Sequence, residues 1–98
     1  MTIAVEAAFR GNKATMANYF EAIKELGATP GGPHPDPHCL FHWVTDDPGG
    51  YTVTDVWTDK VSFEKFLNEK VIPVSEKLGV PKAQVKYIDV ENYCTTGA

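Results

Sequence analysis

Arginine occurs once, at Arg10, and the lysines are scattered. Together they number nine against thirteen acidic residues, a formal net charge of −4. No basic cluster exists to neutralise a phosphate backbone, so nucleic acid is excluded as a partner. An anionic membrane surface is excluded on the same ground. No apolar run approaches the roughly 20 residues that cross a bilayer. The N-terminus has neither the charged nor the apolar region of a secretory leader. The sequence therefore reads as cytoplasmic, and its two cysteines, Cys39 and Cys94, fit that compartment. Neither sits in a CxxC pair, and each reads as a small buried or tail thiol. There is no phosphate-cradling glycine motif, no dinucleotide fingerprint and no Ser/His/Asp order. No cofactor is expected.

Ninety-eight residues with 43% hydrophobic content form a single domain, 1–98. Thr2–Phe9 alternates as a strand, with Ile3, Val5, Ala7 and Phe9 on one face. Gly11-Asn12 turns the chain, and Asn12 or Thr15 caps a helix whose stripe is Met16, Tyr19, Phe20, Ile23 and Leu26. Gly27 suits the left-handed position after it. Ala28–Pro37 (ATPGGPHPDP) is too rich in proline and glycine for helix or central strand. It reads as a stiff loop long enough to cover a site. His38–Thr45 and Tyr51–Trp57 are two strands joined by the turn Asp46–Gly50. Asp59 caps a second helix carrying Phe63, Phe66 and Leu67. Pro73 either kinks that helix or opens a short one, Pro73–Leu78, that Gly79 ends. Ala83–Tyr93 is a fourth strand, and Thr95–Ala98 reads as a frayed end.

The order β-α-β-β-α-β is that of an α+β, ferredoxin-like domain: four antiparallel strands with both helices on one face. The other face would be bare and partly apolar, which monomers rarely tolerate. A homodimer through that open face is expected.

Three histidines, His34, His38 and His42, fall within nine residues, near Asp36 and Cys39. His38 and His42 lie about 13 Å apart along a strand, too far to share an ion. His34 and His38 read as solvated loop residues, and no metal is expected. His42, between Phe41 and Trp43, reads either as a hydrogen-bonded core histidine or as a general base lining a pocket. Asp55 is the second candidate, because aspartate is depleted in strand interiors and a buried one needs a partner. Two hairpin registers are open. If Thr45 pairs with Tyr51, Phe41 faces Asp55 and His42 lies on the opposite sheet face. If Asp55 pairs with Leu40, His42 and Asp55 become diagonal neighbours on one face. Eleven aromatics can build a core and still line a pocket for a small hydrophobic molecule.

The sequence resembles the dimeric α/β-barrel proteins, specifically the antibiotic-biosynthesis-monooxygenase-like group. The carriers are Tyr19, the FHWV segment Phe41–Val44, and VTDVWTDKVSFEKFLNEKVIPVSEKLGV at Val53–Val80. In the last segment Asp55, Val56, Trp57, Asp59, Phe63, Phe66 and Pro73 match the group's pattern. The resemblance implies a dimeric α/β barrel with a hydrophobic pocket between sheet and helices. It also implies a cofactor-independent, monooxygenase-like activity on a small aromatic or polyketide-like molecule. His42 and Asp55 would be catalytic, and Tyr19, Trp43, Trp57 and Phe66 would contact the ligand. The alternative is a homodimer that binds a ligand or serves structure without chemistry.

Overall fold

The computed structural model describes residues 1–94. The expectation of a frayed Thr95–Ala98 falls outside them. The elements are β1 (Ile3–Arg10), α1 (Met16–Glu25), β2 (Cys39–Asp47), β3 (Gly50–Trp57), α2 (Lys60–Phe66), α3 (Ile72–Leu78) and β4 (Gln84–Asp89). The strands form one antiparallel sheet in the order β2-β3-β1-β4. This is the ferredoxin-like fold expected from the sequence.

The caps explain where the helices start. Thr15 accepts the Asn18 N–H at 3.2 Å, which settles the choice between Asn12 and Thr15. Asp59 accepts the Ser62 N–H at 2.7 Å and the Ser62 hydroxyl at 2.9 Å. Pro73 does not stop the second helix outright. A π-helical turn, Leu67–Val71, joins α2 to α3. The wider turn accommodates a residue that lacks an N–H and whose ring crowds the carbonyl four residues back. Gly79, at φ +72°, ends α3.

The fourth strand is shorter than Ala83–Tyr93. It ends at Asp89 because its partner β1 begins at Ile3, opposite that residue. Tyr93 lies beyond the sheet.

Rows of cross-strand neighbours define the two sheet faces. One face carries the row Val44, Val53, Ala7 and Val85 and the row His42, Asp55, Val5 and Tyr87. The helices bury this face. Tyr19 of α1 joins Phe9, Ala7 and Tyr51, while Phe63 of α2 joins Trp57, Val5 and Ile3. The opposite face carries Phe41, Val56, Ala4 and Ile88 in one row. Phe41, Trp43 and Ile88 are 57, 43 and 41% exposed, so that face is uncovered and carries apolar side chains on its outer strands β2 and β4.

Candidate active site

The site begins with the hairpin. Strands β2 and β3 run through to Asp47 and Gly50, leaving only Pro48-Gly49 as the loop. Gly49 has φ +78°, as the third position of a type II turn requires after proline. Gly50 must be glycine for another reason. A Cβ there would lie 1.9 Å from the Phe9 carbonyl oxygen. Arg10 secures the turn by donating to the Tyr51 carbonyl at 3.0 Å and to Asp47 at 3.2 Å.

This tight turn produces neither of the two registers open in the sequence. His42 pairs directly with Asp55, and a bulge at Leu40 shifts the strand beyond Phe41. Both side chains therefore stand on the helix-covered face, side by side.

Their chemistry follows from proton positions. His42 Nδ1 lies 2.6 Å from Asp55 Oδ1. Asp55 is 7% exposed, and its other oxygen accepts the Trp57 indole N–H at 3.0 Å. A carboxylate can only accept, so the His42 proton sits on Nδ1. His42 Nε2 is then the acceptor for the Tyr19 hydroxyl, 2.6 Å away. Tyr19 thus donates to His42 and His42 to Asp55, on which the Trp57 N–H converges from the other side. Burial, reinforced by the charge of Asp55, pushes the Tyr19 phenol above its ordinary 10.0 and keeps it protonated.

The chain borders a cavity of about 580 Å³ between the sheet, α1, α2 and the proline-rich loop. That is the size of a pocket for a small organic molecule. Tyr19, His42, Asp55 and Phe66 line it. Trp43 also lines it, from the edge strand β2. By strand alternation its ring stands on the opposite face, 5.8 Å from Phe41. Trp57 is not a lining residue. At 0% exposure it is sealed beneath Asp55, which it orients. Cys39 also lines the cavity, but burial and the nearby Asp55 charge push its thiol up to about 12, so it carries no thiolate.

His34 corrects the sequence reading. It is not a solvated loop histidine. The loop folds back and places its ring 5.0 Å from Phe66, 5.4 Å from Trp57 and 5.7 Å from His42. His38 instead stays exposed and pairs with Asp36 at 2.9 Å. The available signal was the loop itself. Four prolines flanking one histidine stiffen it, and a stiff loop can present a side chain inward.

No protein-family model matches the chain, and no curated protein sequence matches it. Solved structures do share its fold. A protein from Chloroflexus aurantiacus, assigned by name to the antibiotic biosynthesis monooxygenases, superposes with a TM-score of 0.68 at 14% identity, over 99% of this chain and 100% of that one. A Caulobacter crescentus protein of the same assignment gives 0.67 at 17% identity, over 93% and 91%. The cofactor-independent oxygenase SnoaB from Streptomyces nogalater gives 0.56 at 15% identity, over 94% and 93%. The chain therefore has the ferredoxin-like fold of the antibiotic-biosynthesis-monooxygenase type. At these identities the likeness establishes the fold alone.

Proposed function

We propose that the protein is a cofactor-independent, monooxygenase-like enzyme acting on a small aromatic or polyketide-like molecule. The observation that carries this reading is the Tyr19–His42–Asp55 chain at the wall of an apolar cavity. The likeness in fold to a cofactor-independent oxygenase supports it. An activated C–H or O–H of the substrate gives its proton to the Tyr19 oxygen while Tyr19 passes its own to His42 Nε2. Asp55 stabilises the resulting imidazolium, and Trp57 holds Asp55 in place. The substrate anion then reduces dioxygen. For anthrone, the CH₂ carbon loses a proton and takes up O₂ to give a hydroperoxide. Loss of water leaves a carbonyl, so anthrone and O₂ become anthraquinone and water.

The active unit would be a homodimer joined through the open sheet face, because the row Phe41, Val56, Ala4 and Ile88 is apolar and uncovered.

The second reading is a ligand-binding or structural dimer without chemistry. It draws on the completeness of the network: among the described residues, no buried side-chain nitrogen or oxygen lacks a partner. Oxygen uptake and anthraquinone formation from anthrone separate the two. The enzyme reading expects turnover by the wild type and its loss in the double variant His42→Ala/Asp55→Asn. Equal turnover in both, or none in the wild type, leaves the binding reading.

A further inference from the structure

The Ala28–Pro37 loop does more than close the cavity. Its backbone is fixed by Pro30, Pro33, Pro35 and Pro37, and by a turn in which Gly32 N–H donates to the Thr29 carbonyl at 2.9 Å. Gly31 takes φ +75°, and a Cβ on Gly32 would lie 2.4 Å from Thr29 Oγ1. The loop therefore presents His34 in one defined position.

The tautomer of His34 follows from its contacts. Nδ1 accepts the Asp36 backbone N–H at 3.0 Å, so in the neutral ring the proton is on Nε2. Nε2 makes no hydrogen bond to the protein among the described residues, yet no buried side-chain nitrogen there lacks a partner. Nε2 is thus accessible, on a ring that lines the cavity beside His42. Burial lowers the tendency of His34 to protonate, with the attraction of Asp55 opposing and the neighbouring His42 assisting. The ring enters the site as a neutral donor.

We propose that His34 is a substrate-binding residue whose Nε2–H donates to an ionisable oxygen of an aromatic ligand and stabilises the phenolate or enolate that forms there. The inference rests on reading the cavity as the substrate site. It deepens that reading by naming the ligand class: a planar aromatic bearing an acidic hydroxyl or its enol equivalent. A donor aimed at a developing oxyanion favours the anion over the neutral form. Phe66 and the rings around it supply the apolar remainder.

The test uses alizarin, a dihydroxyanthraquinone that changes colour on ionisation and does not undergo the proposed oxidation. Its ionisation midpoint is read while bound to the wild type, to His34→Phe and to His34→Gln. Phenylalanine keeps the ring packing and removes the donor, whereas glutamine keeps a donor. The midpoint on the wild type is expected about one pH unit below that on His34→Phe, with His34→Gln recovering part of the difference. The dimethyl ether of alizarin should bind wild type and His34→Phe equally. Circular dichroism confirms that the variants are folded. Equal midpoints on wild type and His34→Phe overturn the proposal, as does failure of alizarin to bind the wild type. Anthrone turnover is scored separately. A protein that shifts alizarin through His34 but does not oxidise anthrone refutes the proposed reaction and leaves the His34 assignment standing.

Discussion

His42 and Asp55 are partners twice over. Their Cα atoms face each other across β2 and β3, and their side chains meet at 2.6 Å. The pairing of two strands thus sets the imidazole beside the carboxylate on the helix-covered face. Asp55 lies on a strand flanked on both sides, which explains its burial and its need for two donors, His42 Nδ1–H and Trp57 Nε1–H.

Asp55→Asn tests the proton logic. One amide face can accept the Trp57 N–H, but the NH₂ group then points at His42 Nδ1. The imidazole must move its proton to Nε2, where it no longer accepts from Tyr19. Turnover of anthrone should fall by about 10²–10⁴ with the fold intact. Asp55→Ala leaves both donors unpaired and should cost about 2–5 kcal/mol in urea denaturation. Matching activity in Asp55→Asn and wild type would remove the dyad from the mechanism.

Tyr19→Phe isolates the relay. The ring keeps its packing on Phe20 at 5.2 Å and on Tyr51 at 5.5 Å, so stability should change by no more than about 1 kcal/mol. His42 Nε2 is then uncovered toward the cavity. Alizarin affinity should persist while anthrone turnover drops at least about tenfold. Unchanged turnover would assign proton transfer to His42 directly.

Much of this arrangement was legible in the residues. The element order followed from the alternation of β1 and β3, the Thr15 and Asp59 caps, and the glycines that end α1 and α3. Asp55 stood out as a carboxylate in a strand. The turn was the point of failure. Pro48-Gly49 and Asp46-Asp47-Pro48 allow several hairpin lengths, and one residue of slip moves every side chain to the other face. What selects the register is distant in sequence: the Phe9 carbonyl against Gly50 and the Arg10 guanidinium on Asp47 and Tyr51. His34 was missed for a related reason. Its burial depends on where a non-repetitive loop folds back, and no periodicity encodes that. Trp57 was assigned to the ligand from its aromatic character, whereas the indole N–H decides its place beneath Asp55.

The burial of His34 has a consequence for stability against pH. Its folded tendency to protonate is lowered, chiefly by desolvation, with the charge of Asp55 opposing and His42 assisting. Below the ordinary value of 6.5, the unfolded chain takes up a proton that the folded chain resists. The His34 contribution is therefore complete above that pH and lost as the pH falls through the window beneath it. Urea midpoints at neutral pH and at mildly acidic pH should differ more for wild type than for His34→Phe. The same acid sensitivity in both proteins would place its origin elsewhere.

The open sheet face makes a prediction of its own. Trp43 and Phe41 are the most exposed large side chains of β2 and pack on each other at 5.8 Å. In the proposed dimer they lie within the buried surface. A charge there would be desolvated without a partner, so Trp43→Glu should raise the dissociation constant about 100-fold or more. Analytical ultracentrifugation at micromolar concentration reads the change directly. A wild type that sediments as a monomer would contradict the dimer.

Two adjacent glycines separate strain from collision, and with them the origin of the register. Gly49→Ala forces a side chain to φ +78° with open space around the new Cβ, a cost of about 1 kcal/mol. Gly50→Ala meets the Phe9 carbonyl at 1.9 Å, and that oxygen belongs to the central strand β1 and has little freedom to retreat. The hairpin must move away from β1 at Arg10↔Gly50, the last pair of that ladder. Gly50→Ala should therefore lose about 3 kcal/mol or more, among the larger single-residue effects. It should also weaken alizarin binding, because His42 and Asp55 hang from the same hairpin. Gly49→Ala should keep alizarin affinity within about twofold of wild type, the loss of about 1 kcal/mol falling on folding alone. Equal destabilisation by the two substitutions, with binding intact in both, would show that the close approach of Gly50 to Phe9 does not set the register that brings the dyad together.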